Sequence, residues 1–234
     1  MFKALFNNLK EHDKNTAIEG IIQHATPRQD FFMMLVLSVA MASFGILLQS
    51  TVILVGSMLI APLLYPLLSL ALGVIVADEK LLGRSFYTLG KSIVLALGAS
   101  FIIGFLFSDH SGVALLPPGV ISNDYSALMY AIVAAIAGFA AAFAMTKPHL
   151  NETLPGVAIS VALVPPLASA GVALSVFEWG VFSNALMLFV VNVIGILFSA
   201  MIVFALLRFS VKKTVAVEII KEEEKIIEEE RSVA

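Results

Sequence analysis

Four serines and one asparagine are the residues of this chain best placed to do chemistry. Ser57 and Ser69 flank Pro62 and Pro66, Ser160 and Ser169 flank Pro165 and Pro166, and Asn192 falls inside a later apolar run. A proline inside a helix withdraws one ladder hydrogen bond and crowds the carbonyl there, at a cost of about 3 kcal/mol. The carbonyls freed in this way belong to Met58 and Pro62 in the first stretch and to Val161 and Ala162 in the second. The residues before the prolines, Ala61, Tyr65, Val164 and Pro165, are pushed towards extended geometry. In hydrocarbon such backbone groups need a protein partner or a water-filled cavity. Freed carbonyls suit a cation, and the open N–H groups of a half-helix that starts after a break suit an anion. Both remain open at this point. So does a plainer reading, in which small polar residues hold helices together at about 0.6 kcal/mol each and the prolines only kink them. For any one of these residues, or for one break alone, the plainer reading is the stronger; the grouping of four serines around two breaks brings a binding site level with it.

The two proline stretches echo each other. A shift of 100 positions lays Leu54, Gly56, Leu63, Pro66, Leu67 and Ser69 on Leu154, Gly156, Leu163, Pro166, Leu167 and Ser169, and it lays Ser92 on Asn192. Residues 51–61 and 154–164 each make about 16 Å of helix, half a hydrocarbon core. Both breaks are therefore expected near the bilayer midplane.

The surroundings are those of a membrane protein. The 234 residues are 59% hydrophobic and only 13% charged, with a mean hydropathy of +0.98, against about 25% charged in soluble domains. With no cysteine, thiolate chemistry and Cys-based metal sites are excluded. The four histidines share no metal-ligand spacing, so no metal and no cofactor are expected. No Asp, Glu or His falls deep in any apolar run, which argues against a proton pump built on a carboxylate. A net charge of −3 carries no sign of nucleic-acid binding. The partners expected are the lipid bilayer and a small solute or ion.

Taken in order, residues 1–30 form a cytoplasmic or interfacial segment. Phe2, Leu5, Phe6 and Leu9, then Ile18, Ile21, Ile22 and Ala25, recur at helical spacing. Amphipathic helices on the membrane surface fit this, and so does a helix packed under the membrane domain. The segment lacks the apolar run of a signal peptide, so cleavage is not expected. Residues 31–77 carry no charge and hold two spans, 31–48 and a broken 51–77, with a hairpin at Gln49-Ser50. Residues 78–84 are a charged loop. The third span is 87–107, with Lys91 near enough to its start to snorkel outward. The fourth is 126–146, where Ala131, Ala134, Ala135, Gly138, Ala141 and Ala142 make a small face on which a helix packs closely. The fifth, also broken, is 153–177, and the sixth is 181–207. Residues 209–234 form a charged helical tail with no apolar face wide enough to be buried, so the tail is expected to be separable. The small face of span four and this tail are the surfaces offered for a homo-oligomer.

Topology follows from charge. All 14 Lys and Arg residues fall in the N-terminal segment, in 78–91, in 147–152 or in the tail, and none falls at 49–50, 108–125 or 178–180. Cationic loops stay cytoplasmic. Six spans with both termini inside produce that partition, which five or seven would break. The fold class expected is all-α: a polytopic membrane protein with helices 2 and 5 broken at prolines. Repeat one (31–107) and repeat two (126–208) of the domain 31–208 each cross three times, so the second copy is inverted.

Two runs also resemble a known family. Gly45-Ile-Leu-Leu-Gln-Ser-Thr-Val-Ile-Leu-Val-Gly-Ser-Met-Leu-Ile-Ala-Pro62, followed by Pro66, looks like the signature of the prokaryotic uncharacterised hydrophobic domain, domain of unknown function 389. Val157-Ala-Ile-Ser-Val-Ala-Leu-Val-Pro-Pro-Leu167 is similar to its second signature. The resemblance covers roughly residues 20–207 and implies a multi-pass domain of a prokaryotic cell membrane. It brings no activity or catalytic residue. Function is therefore expected from the residues: a transporter or channel for a small solute or ion, with its site between the two breaks. The alternative is a non-transporting scaffold or sensor acting through its tails. An intramembrane enzyme would need a nucleophile with a base, or a carboxylate pair, and neither is visible, so no enzyme is expected.

Overall fold

The structure is a computed structural model that describes residues 11–108, 124–147 and 155–233, with side chains described for 11–108, 128–147 and 163–227. Among these residues there are nine α-helices, one short 3-10 turn at Phe209–Lys212, and no strand. The helices are α1 Glu11–His24, α2 Gln29–Leu47, α3 Thr51–Ile60, α4 Leu64–Val76 and α5 Glu79–Phe107. They continue with α6 Asp124–Met145, α7 Pro155–Ser175, α8 Trp179–Leu206 and α9 Lys213–Val233. Four helices are long and apolar enough to cross a membrane: α2, α5, the described part of α6, and α8. The pair α3 and α4 makes a fifth span with a 49° bend, and Leu163–Ser175 of α7 is a shorter apolar helix. The chain has the helices of a polytopic membrane protein.

Tight turns set the register. The expected hairpin at Gln49-Ser50 is there, with Gln49 left-handed at φ 51° and Ser50 capping α3. Ala77 does the same between α4 and α5 at φ 52°. Asp78 then accepts the N–H of Leu81 at 2.8 Å, so residues 79–84, expected as a loop, are instead the first turns of α5. A capping carboxylate with Glu79 beside it at a helix N-terminus starts a helix that charge alone disguises. Ala77 lies where an L side chain crowds the following carbonyl, at roughly 1 kcal/mol. Ala77→Gly should therefore raise stability by about 1 kcal/mol, read as a higher unfolding midpoint in detergent.

Glycines close the helix pairs. A Cβ on Gly138 of α6 would stand 2.6 Å from the Cα of Ile196 in α8, and one on Gly195 of α8 would stand 3.1 Å from the Cβ of Ala134. Ala134, Ala141 and Ala142 are buried there. The small face of α6 is thus covered by α8 of the same chain and is not left open to a second copy. Gly171 of α7 lies against Ser100 and the carbonyl of Leu97 in α5.

The charged end holds more structure than the sequence suggests. The apolar half-helix α4 is wrapped by α1, α5, α8 and the 3-10 turn, with Leu67, Leu68, Ala71 and Leu72 fully buried. Ile18, Ile21 and Ile22 of α1 are buried too, so the amphipathic segment packs under the membrane domain. The first amphipathic set, Phe2 to Leu9, lies outside the described residues. The tail does bury a face: Phe209, Ala216, Ile220 and Glu223 are buried, and α9 packs on α1. Its stripe of Ala216, Ile220 and Glu223 is narrow but matches the surface of α1. Lys213 donates to the carbonyl of Ala77 at 2.8 Å, and Lys212 to Glu11. That hydrogen bond from Lys212 holds the exposed Glu11 carboxyl below its ordinary range. The contact is complete above the ordinary carboxylate range and is lost as pH falls through the lowered value.

Candidate functional site

The first break is where sequence places it, and Pro62 makes it. Ala61 before Pro62 is extended (φ −71°, ψ 124°), α3 stops at Ile60, and α4 resumes at Leu64. Pro66 does not take part. It occupies the third position of α4, where a backbone N–H has no ladder partner in any case. Tyr65 before it remains helical.

The second break is absent. α7 runs from Pro155 to Ser175 with Pro165 and Pro166 inside it. Under the 100-residue shift the counterpart of Pro62 is Ala162, so the second stretch has no proline at the position that breaks the first. Pro165 and Pro166 correspond to Tyr65 and Pro66, the pair that α4 also accommodates within its helix. Val161 and Ala162 still lose their ladder donors to the two prolines. The side chains of Ser160, Val161 and Ala162 lie outside those described.

Ser85 Oγ donates to Ser69 Oγ at 2.8 Å, next to the exposed aromatics Phe86 and Tyr87. Pro62 lies 12 residues after Ser50, which closes one turn, and 15 before Ala77, which opens the next. His24 stacks on Tyr65, with ring centroids 4.6 Å apart, and Lys91 sits 4.0 Å over the ring of Phe32.

The elements carrying the candidate residues meet. α7 packs on α3, α4 and α8, and α8 packs on α4. Counting from the turn at Phe177-Glu178, Pro165 and Asn192 lie at nearly the depth that Pro62 has from its own turn. Met58, Pro66, Pro165 and Pro166 are buried, and Pro62 is half-buried.

Not every polar group there is free to bind anything. Ser57 donates to the carbonyl of Leu54 at 2.6 Å, while its own carbonyl accepts Ser38 Oγ at 2.7 Å. Ser69 accepts from Ser85. The hydroxyl of Ser57 is satisfied within its own helix, and the bonds that join helices come from Ser38 and Ser85, two partners the sequence reading missed. Ser169 differs: its buried hydroxyl has no hydrogen-bond partner. Asn192 is buried at 2% exposure in the middle of α8.

A second polar cluster, also missed, lies at the charged end. Glu223 is 3% exposed, pairs with Arg28 at 2.9 Å and lies 4.0 Å from Arg84. Thr26 donates to Glu223 at 3.1 Å and accepts from Arg84. The signal available was a glutamate continuing the Ala216–Ile220 stripe at helical spacing. Among the described residues no group of His, Asp or Glu is arranged to hold a metal.

Comparison with known proteins assigns a family but not an activity. The family described as a domain of unknown function, DUF389, matches residues 58–198, from the end of α3 to the middle of α8. The chain belongs to this family. It is 34% identical over 176 residues to the uncharacterized protein MJ0678 of Methanocaldococcus jannaschii, an alignment covering 74% of this chain and 52% of that protein. The chain thus spans about half the length of that relative. No solved structure matches it.

Proposed function

We propose that this DUF389 protein is a membrane transporter or channel for a small solute or ion, and not an enzyme. The carrying observation is the break at Ala61–Leu63, set inside an apolar span whose two halves pack against α7, with α4 also against α8. Lipid offers no partner for broken backbone, so a break retained there lines either protein or an aqueous path. The unpartnered Ser169 hydroxyl on α7 supports a path. In this reading the chain crosses six times with both termini cytoplasmic, in two inverted three-helix repeats. The charge partition and the 100-residue echo support that topology. Only repeat one carries a full break, so the two halves contribute unequally to the path.

The second reading, a scaffold or sensor working through its ends, draws support from α1 and α9, which are docked by buried charges. Aqueous access separates the two. The chain has no native cysteine, so single cysteines report alone. Ser169→Cys should react with a small charged methanethiosulfonate about tenfold faster than Val55→Cys on the exposed outer side of α3. Equal, negligible reaction at both positions would favour the scaffold.

A further inference from the structure

We infer that Thr26, Arg28 and Arg84 form an oxyanion seat, which the C-terminal helix fills with its own Glu223 and which an external phosphate group competes to occupy. The seat is assembled from separate parts of the chain: Thr26 and Arg28 from the connector between α1 and α2, and Arg84 from α5. The one hydroxyl proton of Thr26 is shared between Glu223 at 3.1 Å and the carbonyl of Ile22 at 2.8 Å, which leaves the two arginines as the main donors of the seat. Glu223 does not saturate these donors. Arg28 Nε and Arg84 Nη1 are buried without a hydrogen-bond partner. Charge is in excess as well: Arg28, Arg84 and the nearby Lys80 face Glu223 and Glu224, leaving one positive charge over. Planar guanidinium forks match phosphate as well as carboxylate, and phosphate brings more acceptor oxygens to the idle donors.

The occupant is also displaceable. α9 is held by a short stripe, Ala216 and Ile220 besides Glu223 with Ile219 partly buried beside them, and by two polar contacts near the surface, Lys213 on the carbonyl of Ala77 and Glu224 on Lys80. A buried ion pair adds little net stability, yet removing one partner strands the other charges. Undocking α9 therefore leaves two arginine forks side by side with no carboxylate on them, open to another oxyanion. The seat lies at the charged end of the helices, where the phosphate of a lipid headgroup and free phosphate are the two candidate sources. This inference does not depend on transport.

The test uses the full chain in nanodiscs, with Ile220→Cys, buried at 2% exposure, as the reporter of docking. In phosphatidylcholine discs, inorganic phosphate should speed maleimide labelling of this cysteine several-fold over sodium chloride of equal ionic strength, which removes simple screening. In a second arm, discs containing phosphatidic acid without free phosphate should do the same if the lipid is the source. Glu223→Gln should speed labelling about tenfold with no anion added. By emptying the seat, it should also bind inorganic phosphate about tenfold more tightly than the parent in calorimetry. Adding Arg84→Gln should abolish that gain. Labelling unmoved by phosphate and by phosphatidic acid alike would overturn the seat. So would a Glu223→Gln protein that binds phosphate no better than the parent.

Discussion

Gly138→Leu should yield no folded protein, and Gly138→Ala should lose about 2–3 kcal/mol of stability, while Gly90→Ala should gain up to about 1 kcal/mol. All three substitutions improve helix propensity, so propensity cannot separate them. Surroundings do. A Cβ on Gly90 meets nothing within 4 Å, whereas one on Gly138 meets the Cα of Ile196 at 2.6 Å and its carbonyl oxygen at 2.9 Å. Those atoms are backbone and cannot rotate aside, so α6 and α8 must move apart. Association of helices in lipid depends on close packing rather than on hydrophobic burial, and an ångström of separation removes much of it. The measurement is the unfolding midpoint of each variant in one detergent. A Gly138→Ala protein as stable as the parent would show that α6 and α8 do not meet there.

Much of this architecture was legible because it rests on local rules. The small face of α6 and the hairpin at Gln49-Ser50 follow from residue size and turn chemistry. The break at Pro62 follows from a missing N–H. The second break was misread because a proline was treated as a break wherever it fell. Pro66 and Pro166 occupy matching positions in the repeat, and neither interrupts its helix. The prolines differ at two positions, Pro62 against Ala162 and Tyr65 against Pro165, which a count of two prolines in each stretch does not reveal. Residues 79–84 were misread for the opposite reason, since their charges hid a helix started by Asp78. The buried face of the tail was missed because Glu223 interrupts an otherwise apolar stripe, and its partner Arg28 is 195 residues away in the chain. Nothing local joins those two. Of the serines expected at the site, Ser57 and Ser69 have hydrogen-bond partners inside the protein, while the buried Ser169 hydroxyl has none.

Pro62 is therefore the residue on which function is expected to turn. Pro62→Ala returns an N–H to the carbonyl of Met58 and lifts the constraint on Ala61. The packing of α4 between α1, α5 and α8 opposes complete straightening, so stability should shift by no more than about 3 kcal/mol, the cost of a helix-interior proline. Helix content should rise by a few residues. Pro66→Ala is the control, because Pro66 sits where no ladder bond is lost.

The most direct test of the broken helix as a solute path is flux through reconstituted vesicles. Parent, Pro62→Ala and Pro66→Ala proteins would be compared at equal incorporation against protein-free vesicles, with chloride, phosphate, sodium and potassium as trial solutes. The expected result is flux of at least one of these ions through the parent, retained in Pro66→Ala and reduced about tenfold or more in a folded Pro62→Ala. Parent vesicles no leakier than empty ones to all four ions, or a Pro62→Ala protein that carries its ion at the parent's rate, would contradict it.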